Sequence, residues 1–364
     1  MAEISAQDKI TTHQAVVIVA NYILGVGILT LPRSAVEKVK TPDIWLSIII
    51  GGLIAMLAGL IIVKLSQKFP GMTFYEYSQL LVGKWIGCFL NLMMIVYFIS
   101  MSSVMLRAMA EVNTLFLLEG TPRSAMIIAF MWVGIYLVVG GFSAITRLFE
   151  IIFPITVIIF VIIAVMSLKI FDINNLRPVL GLGITPVLKG VKTTALSFSG
   201  FEIMLLLLAY MKNPKTAQKA VIIGIVIPLL FYVTTAVMVI GALTIEGVIS
   251  LAWPTITLIK SFEFPGIFFE RYESLLLVIW MMQIFTTFVI THYSAAMGLA
   301  KTVKKDMNPF LYMLMPVIYI VAMLPKNIND LFQFSDQIGN MAFLMFVVLP
   351  IILLGVAKIR GVQT

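Results

Sequence analysis

The sequence predicts an all-α polytopic membrane protein of about ten transmembrane helices, built as two inverted five-helix repeats with helices one and six broken at mid-membrane. Three observations lead there. Of 364 residues, 61% are hydrophobic and only 12% charged, with a mean hydropathy of +1.07, far beyond the roughly 45 to 50% apolar content of a soluble domain. Apolar runs of about 20 residues, each long enough for about 30 Å of hydrocarbon, recur along the whole chain. Two of them are interrupted by glycine and small polar residues, at Gly25 and Gly200, which lie 175 positions apart, close to half the chain. Each glycine falls about fourteen residues into its span, as paired repeats require.

Taken in order between charges and Pro/Gly punctuation, the runs place spans near 11–36, 43–67, 86–118, 122–140 and 145–168. Five more fall near 186–211, 218–242, 270–300, 308–324 and 336–357. Residues 1–364 therefore read as one transmembrane domain, with repeat one at about 11–168 and repeat two at about 186–357. The first run is longer than a signal h-region and is followed by no small-residue cleavage site, so it is expected to stay as a span. An even count puts both termini on one face. Lys64, Lys68, Lys212, Lys215, Lys219, Lys301, Lys304, Lys305, Lys358 and Arg360 make that face cytoplasmic. The outer loops carry Lys38, Lys40, Lys169, Arg177 and Lys260 among others, which leaves the bare count nearly balanced.

Because the cations sit in short loops rather than along one face, the net charge of +8 points to anchoring at the lipid bilayer and not to nucleic acid. Cys88 is the single cysteine, which excludes an internal disulfide and a cysteine-based metal cluster. The 23 methionines read as adaptable packing between helices. Two outer connections, 169–185 and 243–269, are too polar or too proline-broken to span yet apolar enough to lie on the membrane surface, so short interfacial helices are expected there. Trp253 is read as an aromatic interface anchor, with a ligand lid as the alternative.

The first break lies in Asn21-Tyr22-Ile23-Leu24-Gly25-Val26-Gly27-Ile28-Leu29. Each glycine costs about 1 kcal/mol of helix propensity relative to alanine, so the pair makes unwinding easy. Non-helical backbone at that depth is tolerated only where protein or water satisfies it, although close helix packing alone would also favour glycine. The sixth span adds a second interruption, Ser197-Phe198-Ser199-Gly200-Phe201-Glu202. In such an arrangement the positive N-terminal ends of half-helices face a carboxylate while freed carbonyls accept from an ammonium group, which suits a small zwitterion. The amides of Gly25, Val26, Gly27 and Ile28 would hold the carboxylate, and the groups of Ser197, Phe198, Ser199 and Gly200 the amine.

Charges inside the membrane are expensive, at about 2.5 to 3.5 kcal/mol each, so each needs a partner or a task. Arg107 and Glu111 lie one helical turn apart and are expected to pair, with gating as the alternative. Glu202 follows the second break with no sequence-local cation, and reads either as a proton-coupling acid or as a group that fixes the broken helix. Tyr97, Thr287 and Thr291 offer hydroxyls on the third and eighth spans; Thr287 and Thr291 share a face, and hydroxyls in such spans more often bond their own i−4 carbonyls than a ligand. His13 and His292 have no metal partner nearby and read as structural or surface residues. Glu270, Arg271 and Glu273 open the eighth span, where acids in a first turn cap the helix. No nucleotide loop, nucleophile elbow or metal-ligand spacing occurs, so neither an enzyme nor a cofactor or metal is expected.

The two interruptions resemble the first-helix and sixth-helix motifs of the amino acid-polyamine-organocation transporters, which implies a leucine-transporter-type fold. Further stretches resemble the B subunits of spore germinant receptors. These are Val19-Ala20-Asn21, Leu29-Thr30-Leu31-Pro32-Arg33, Gly83-Lys84-Trp85-Ile86-Gly87, Arg107-Ala108-Met109-Ala110-Glu111, Phe171-Asp172-Ile173-Asn174-Asn175-Leu176-Arg177-Pro178, Trp253-Pro254-Thr255 and Glu270-Arg271-Tyr272-Glu273-Ser274. The resemblance covers nearly the whole chain and implies a subunit that senses a small amino acid or similar nutrient in the inner membrane of a dormant spore. It further implies a larger A subunit and a lipoprotein C subunit as partners, to which Glu270, Arg271 and Glu273 would dock. The main alternative is a stand-alone proton-coupled amino-acid permease in which Glu202 or Glu111 carries the proton; a third is a water or ion path opened during germination.

Overall fold

The computed structural model describes residues 8–25, 27–261 and 273–361. Val26, Glu270 and Arg271 lie outside the described residues, as does the side chain of Glu273. Helix α1 (Thr12–Leu24) starts at a capping box in which Thr11 and Gln14 each accept the other's backbone amide, and it gives way at Gly25 to α2 (Gly27–Val39). Then come α3 (Ile44–Gln67), α4 (Phe74–Val82), α5 (Lys84–Phe116), α6 (Arg123–Val139) and α7 (Gly141–Ser167). The second half holds α8 (Thr185–Leu196), a 3-10 turn at Phe201–Ile203, α9 (Met204–Tyr210), α10 (Ala217–Ser250) and α11 (Pro254–Lys260). It closes with α12 (Glu273–Val303), α13 (Asn308–Met323), α14 (Ile328–Phe343), a π-helical turn at Leu344–Val348 and α15 (Leu349–Ile359).

Among the described residues, six helical stretches are each long and apolar enough to span, two bent helix pairs are so when each is taken as one span, and α6 and α13 are shorter apolar helices. At 17 and 16 residues, α6 and α13 reach about 24 to 26 Å, close to the hydrocarbon thickness. Side chains on the outside of the bundle are apolar, among them Leu57, Val165 and Ile320, each about 60% exposed. That surface fits lipid, and the chain is an integral membrane protein.

The helices sort into two groups. Helices α5, α6, α12 and α13 pack mutually into a scaffold, while α2, α3, α8, α9 and α10 pack around one another and α1 sits between α10 on one side and α7 and α12 on the other. This order brings the broken span α1–α2 to the broken span α8–α9.

Three features depart from the expected spans. Helix α4 occupies the connection between spans two and three, which the apolar runs left blank; Thr73 and Glu76 cap its start and Lys301 Nζ donates to Glu76 Oε1 at 2.9 Å. Burial pushes the Glu76 carboxyl up, but bonds from the Thr73 amide and the Lys301 ammonium outweigh it and hold the group below the ordinary carboxylate range. The last span begins at Ile328 instead of 336, because Asn327 caps a helix whose first turns carry Asn329, Asp330 and Gln333, too polar to register as membrane. Trp253 is no interface anchor: it is 3% exposed, edge-on to Trp280 and Phe332, with centroids 6.4 and 5.9 Å away. Helix α10 turns sharply at Thr244 (φ 61°), which carries the chain back so that α11 tucks this tryptophan inward.

Candidate functional site

Helices α1 and α2 meet at 52°, and α8 meets the segment Phe201–Tyr210 at 43°. Gly25 closes α1 at φ −34° and ψ −103°, outside helical geometry. Gly200 turns at φ 139°, a conformation that L side chains rarely adopt. The two breaks touch backbone to backbone: a methyl group on Gly200 would lie 3.0 Å from the Ile23 nitrogen and 3.1 Å from its Cα. On Gly25 it would lie 2.8 Å from Thr287 Oγ1, so the glycines bring the breaks against each other and against α12.

Tyr232 of α10 joins them. Its hydroxyl donates to the Ile23 carbonyl at 2.5 Å and also faces the Ser197 carbonyl at 3.4 Å. Its ring lies over Gly27, where any Cβ would collide with the phenol. Ile28 is buried, and its carbonyl accepts from Thr255 Oγ1 of α11 at 3.1 Å. Ser197 and Ser199 bond back to their own helix, at Thr193 and Leu196, and buried Phe198 packs edge-on to Tyr232.

Glu202 is fully buried just past the break. Its two oxygens accept from Tyr97 Oη at 2.5 Å and from the Gly200 amide at 2.6 Å, so the carboxyl folds back to close the turn that glycine opens. The Tyr22 hydroxyl is buried near Tyr97 and Glu202 and has no hydrogen-bond partner among the described residues. A cavity of about 30 Å³, room for about two waters, opens beside Glu202 and Ser199 and is walled by Ile54 and Phe346. Phe346 belongs to the π-helical turn and packs edge-on to Tyr97 at 4.8 Å.

On the scaffold side, Thr287 Oγ1 donates to the Gln283 carbonyl at 3.0 Å and lies 3.3 Å from the Tyr22 carbonyl of α1. Thr291 bonds the Thr287 carbonyl and Ser102 of α5 at 2.7 and 2.6 Å. Above them, Gln283 Nε2 donates to Asn21 Oδ1 at 2.9 Å and Thr156 Oγ1 at 2.7 Å, tying α1 to α7 and α12, while its Oε1 is buried without a partner among the described residues. Farther out, Arg107 and Glu111 pair at 2.9 Å. Arg123 reaches the second Glu111 oxygen at 3.2 Å and Arg107 reaches the Lys326 carbonyl at 3.4 Å, so the pair joins α5 to α6 and to the loop before α14.

The structure thus gathers Gly25, Gly27, Ile28, Tyr97, Ser197, Phe198, Ser199, Gly200, Glu202 and Thr287 around the two breaks. Thr291 lies one turn beyond, and Arg107 with Glu111 stands apart. Sequence reading passed over Tyr232, Gln283 and the π-helical turn. Gln283 had a usable signal, an amide inside a span; Tyr232 had none, since one tyrosine in an apolar run does not disclose which way it faces.

A family model described as "Spore germination protein" matches residues 9–331. The chain is 52% identical over 356 residues to "Spore germination protein YndE" of Bacillus subtilis (strain 168), covering 98% of each. It is 41% identical to "Spore germination protein A2" of the same organism over 97% of this chain and 96% of that one. "Spore germination protein GerLB" of Bacillus cereus is 26% identical over 94% and 92%. Among solved structures, MhsT in complex with L-phenylalanine superposes with a TM-score of 0.71 at 12% identity, over 94% of this chain and 88% of that one. Mhp1, a nucleobase-cation-symport-1 family transporter, gives 0.67 at 11%, over 95% and 81%. These transporters share the fold.

Proposed function

The chain belongs to the spore germination protein family, and on that premise we propose that it is the permease-type B subunit of a germinant receptor. It binds a small amino acid or similar nutrient between the broken helices and signals through A and C subunits in the spore inner membrane. One observation carries this reading: the two breaks converge backbone to backbone between the scaffold and the other helices, in a fold shared with a transporter solved with L-phenylalanine. The first turn of α2 offers amides that a helix cannot pair internally, and the last turns of α1 and α8 offer carbonyls. A carboxylate and an ammonium a few ångströms apart match the two. In this reading one transmembrane domain, residues 1–364, does the work, with repeat one at about 11–168 and repeat two at about 186–357.

A ligand shifts a conformational equilibrium only by its difference in affinity between the states, so signalling requires no net transport. The test uses spores whose only receptor carries this subunit, intact or as Gly25→Ala. The added methyl presses on Thr287 Oγ1, and the variant is expected to need about tenfold more germinant or to lose the response, at unchanged receptor level. An unaltered response would remove the breaks as the binding site.

Buried Glu202, held by Tyr97 and the Gly200 amide, favours a second reading, a stand-alone proton-coupled amino-acid permease. Uptake by the isolated chain in vesicles, driven by a proton gradient and abolished by Glu202→Gln, would establish it over the receptor reading.

A further inference from the structure

A break strands the carbonyls in the last turn of each half-helix, and those carbonyls carry the negative end of the helix dipole. Here two such ends face one donor. Tyr232 Oη lies 2.5 Å from the Ile23 carbonyl and 3.4 Å from the Ser197 carbonyl. A phenol has one proton, so it caps one carbonyl well and leaves the other with a long contact. The ring itself has little freedom, being 1% exposed, edge-on to Phe198 at 5.2 Å and pressed over Gly27. Tyr232 therefore touches helix one on both sides of its break and helix six at the start of its own.

We propose that Tyr232 is a displaceable clamp: in the resting protein its hydroxyl ties the two broken helices to α10, and the ammonium group of the germinant takes over the Ile23 and Ser197 carbonyls and releases it. The clamp rests on the reading above, in which the ligand binds at the breaks. It adds a chemical requirement, because an ammonium brings three donors where the phenol brings one; a simple carboxylate, which is acceptor-only, does not replace it at these carbonyls. It also supplies a route outward. Helix α10 continues through the turn at Thr244 to α11, which packs on α2 and bonds the Ile28 carbonyl through Thr255.

Tyr232→Phe keeps the ring and removes the proton. In the purified chain without ligand, hydrogen exchange over residues 197–203 and the last turn of α1 is expected to quicken about fivefold, the effect of losing one ordinary hydrogen bond. Unchanged exchange overturns the clamp, and because this arm needs no ligand, a wrong assignment of the germinant site leaves it standing. In spores the same variant is expected to germinate at about fivefold less germinant. A residue that merely supports the fold would raise that threshold when its hydroxyl is lost, so a raised threshold at unchanged receptor level overturns the proposal.

Discussion

Arg107 shows what a single residue decides. It is 3% exposed and holds Glu111 together with Arg123. Arg107→Ala is expected to destabilise the protein by about 3 kcal/mol, the lower end for breaking a buried pair, since Arg123 still serves Glu111. Arg107→Met combined with Glu111→Gln removes both charges and should recover much of the loss; thermal unfolding in detergent measures both variants. The helical spacing of Arg107 and Glu111 was legible in the sequence because their contact is local. Arg123 and the Lys326 carbonyl were not, because they arrive from other helices. Tyr97 makes the same point: its hydroxyl was legible as a polar group in the membrane, while its partner, Glu202, lies 105 residues away.

Among elements, the broken sixth span depends on the φ of 139° at Gly200 and on its contact with Ile23. Gly200→Ala strains the turn by about 1 to 3 kcal/mol before any steric push, and reduced yield of folded protein in membranes is the expected readout. Helix α4 responds to pH. The folded Glu76 carboxyl lies below its ordinary value, so the unfolded form binds the proton more readily. The anchoring contribution is therefore full above the ordinary carboxylate range and is lost as pH falls through the lower folded value. Protection of the Phe74–Val82 amides, taken relative to their intrinsic exchange rate at each pH, should fall as pH drops through the ordinary carboxylate range and below it in the wild type, and Glu76→Gln should remove that dependence. The glycine pair pointed to the first break only together with the second interruption at Gly200, since mid-span glycines such as Gly51, Gly134 and Gly224 serve close helix packing instead. Helix α4 stayed hidden because nine residues with an acid and a glutamine resemble a loop by hydropathy, and the π-helical turn at Leu344–Val348 has no sequence mark.

At the scale of the whole molecule, a ligand that binds only the folded protein raises its stability by mass action, about 2.7 kcal/mol at a hundredfold excess over Kd. The unfolding midpoint of the purified chain should rise with the germinant amino acid and return on its removal; a midpoint that ignores every amino acid tested would argue against binding by this subunit alone. The two breaks were legible from Gly25 and Gly200, at which both bent helix pairs turn. Which helices form the scaffold was not, since apolar runs do not disclose their neighbours. The bond between Tyr232 and Ile23, 209 residues apart, also bears on biosynthesis. At about 5 to 20 residues per second, the ribosome delivers Tyr232 some 10 to 40 seconds after Ile23. In lipid a stranded carbonyl costs several kcal/mol, so the first span is expected to enter the membrane as a continuous helix. On that expectation its break waits for the seventh span, and a truncated nascent chain ending before α10 should still carry a straight first helix.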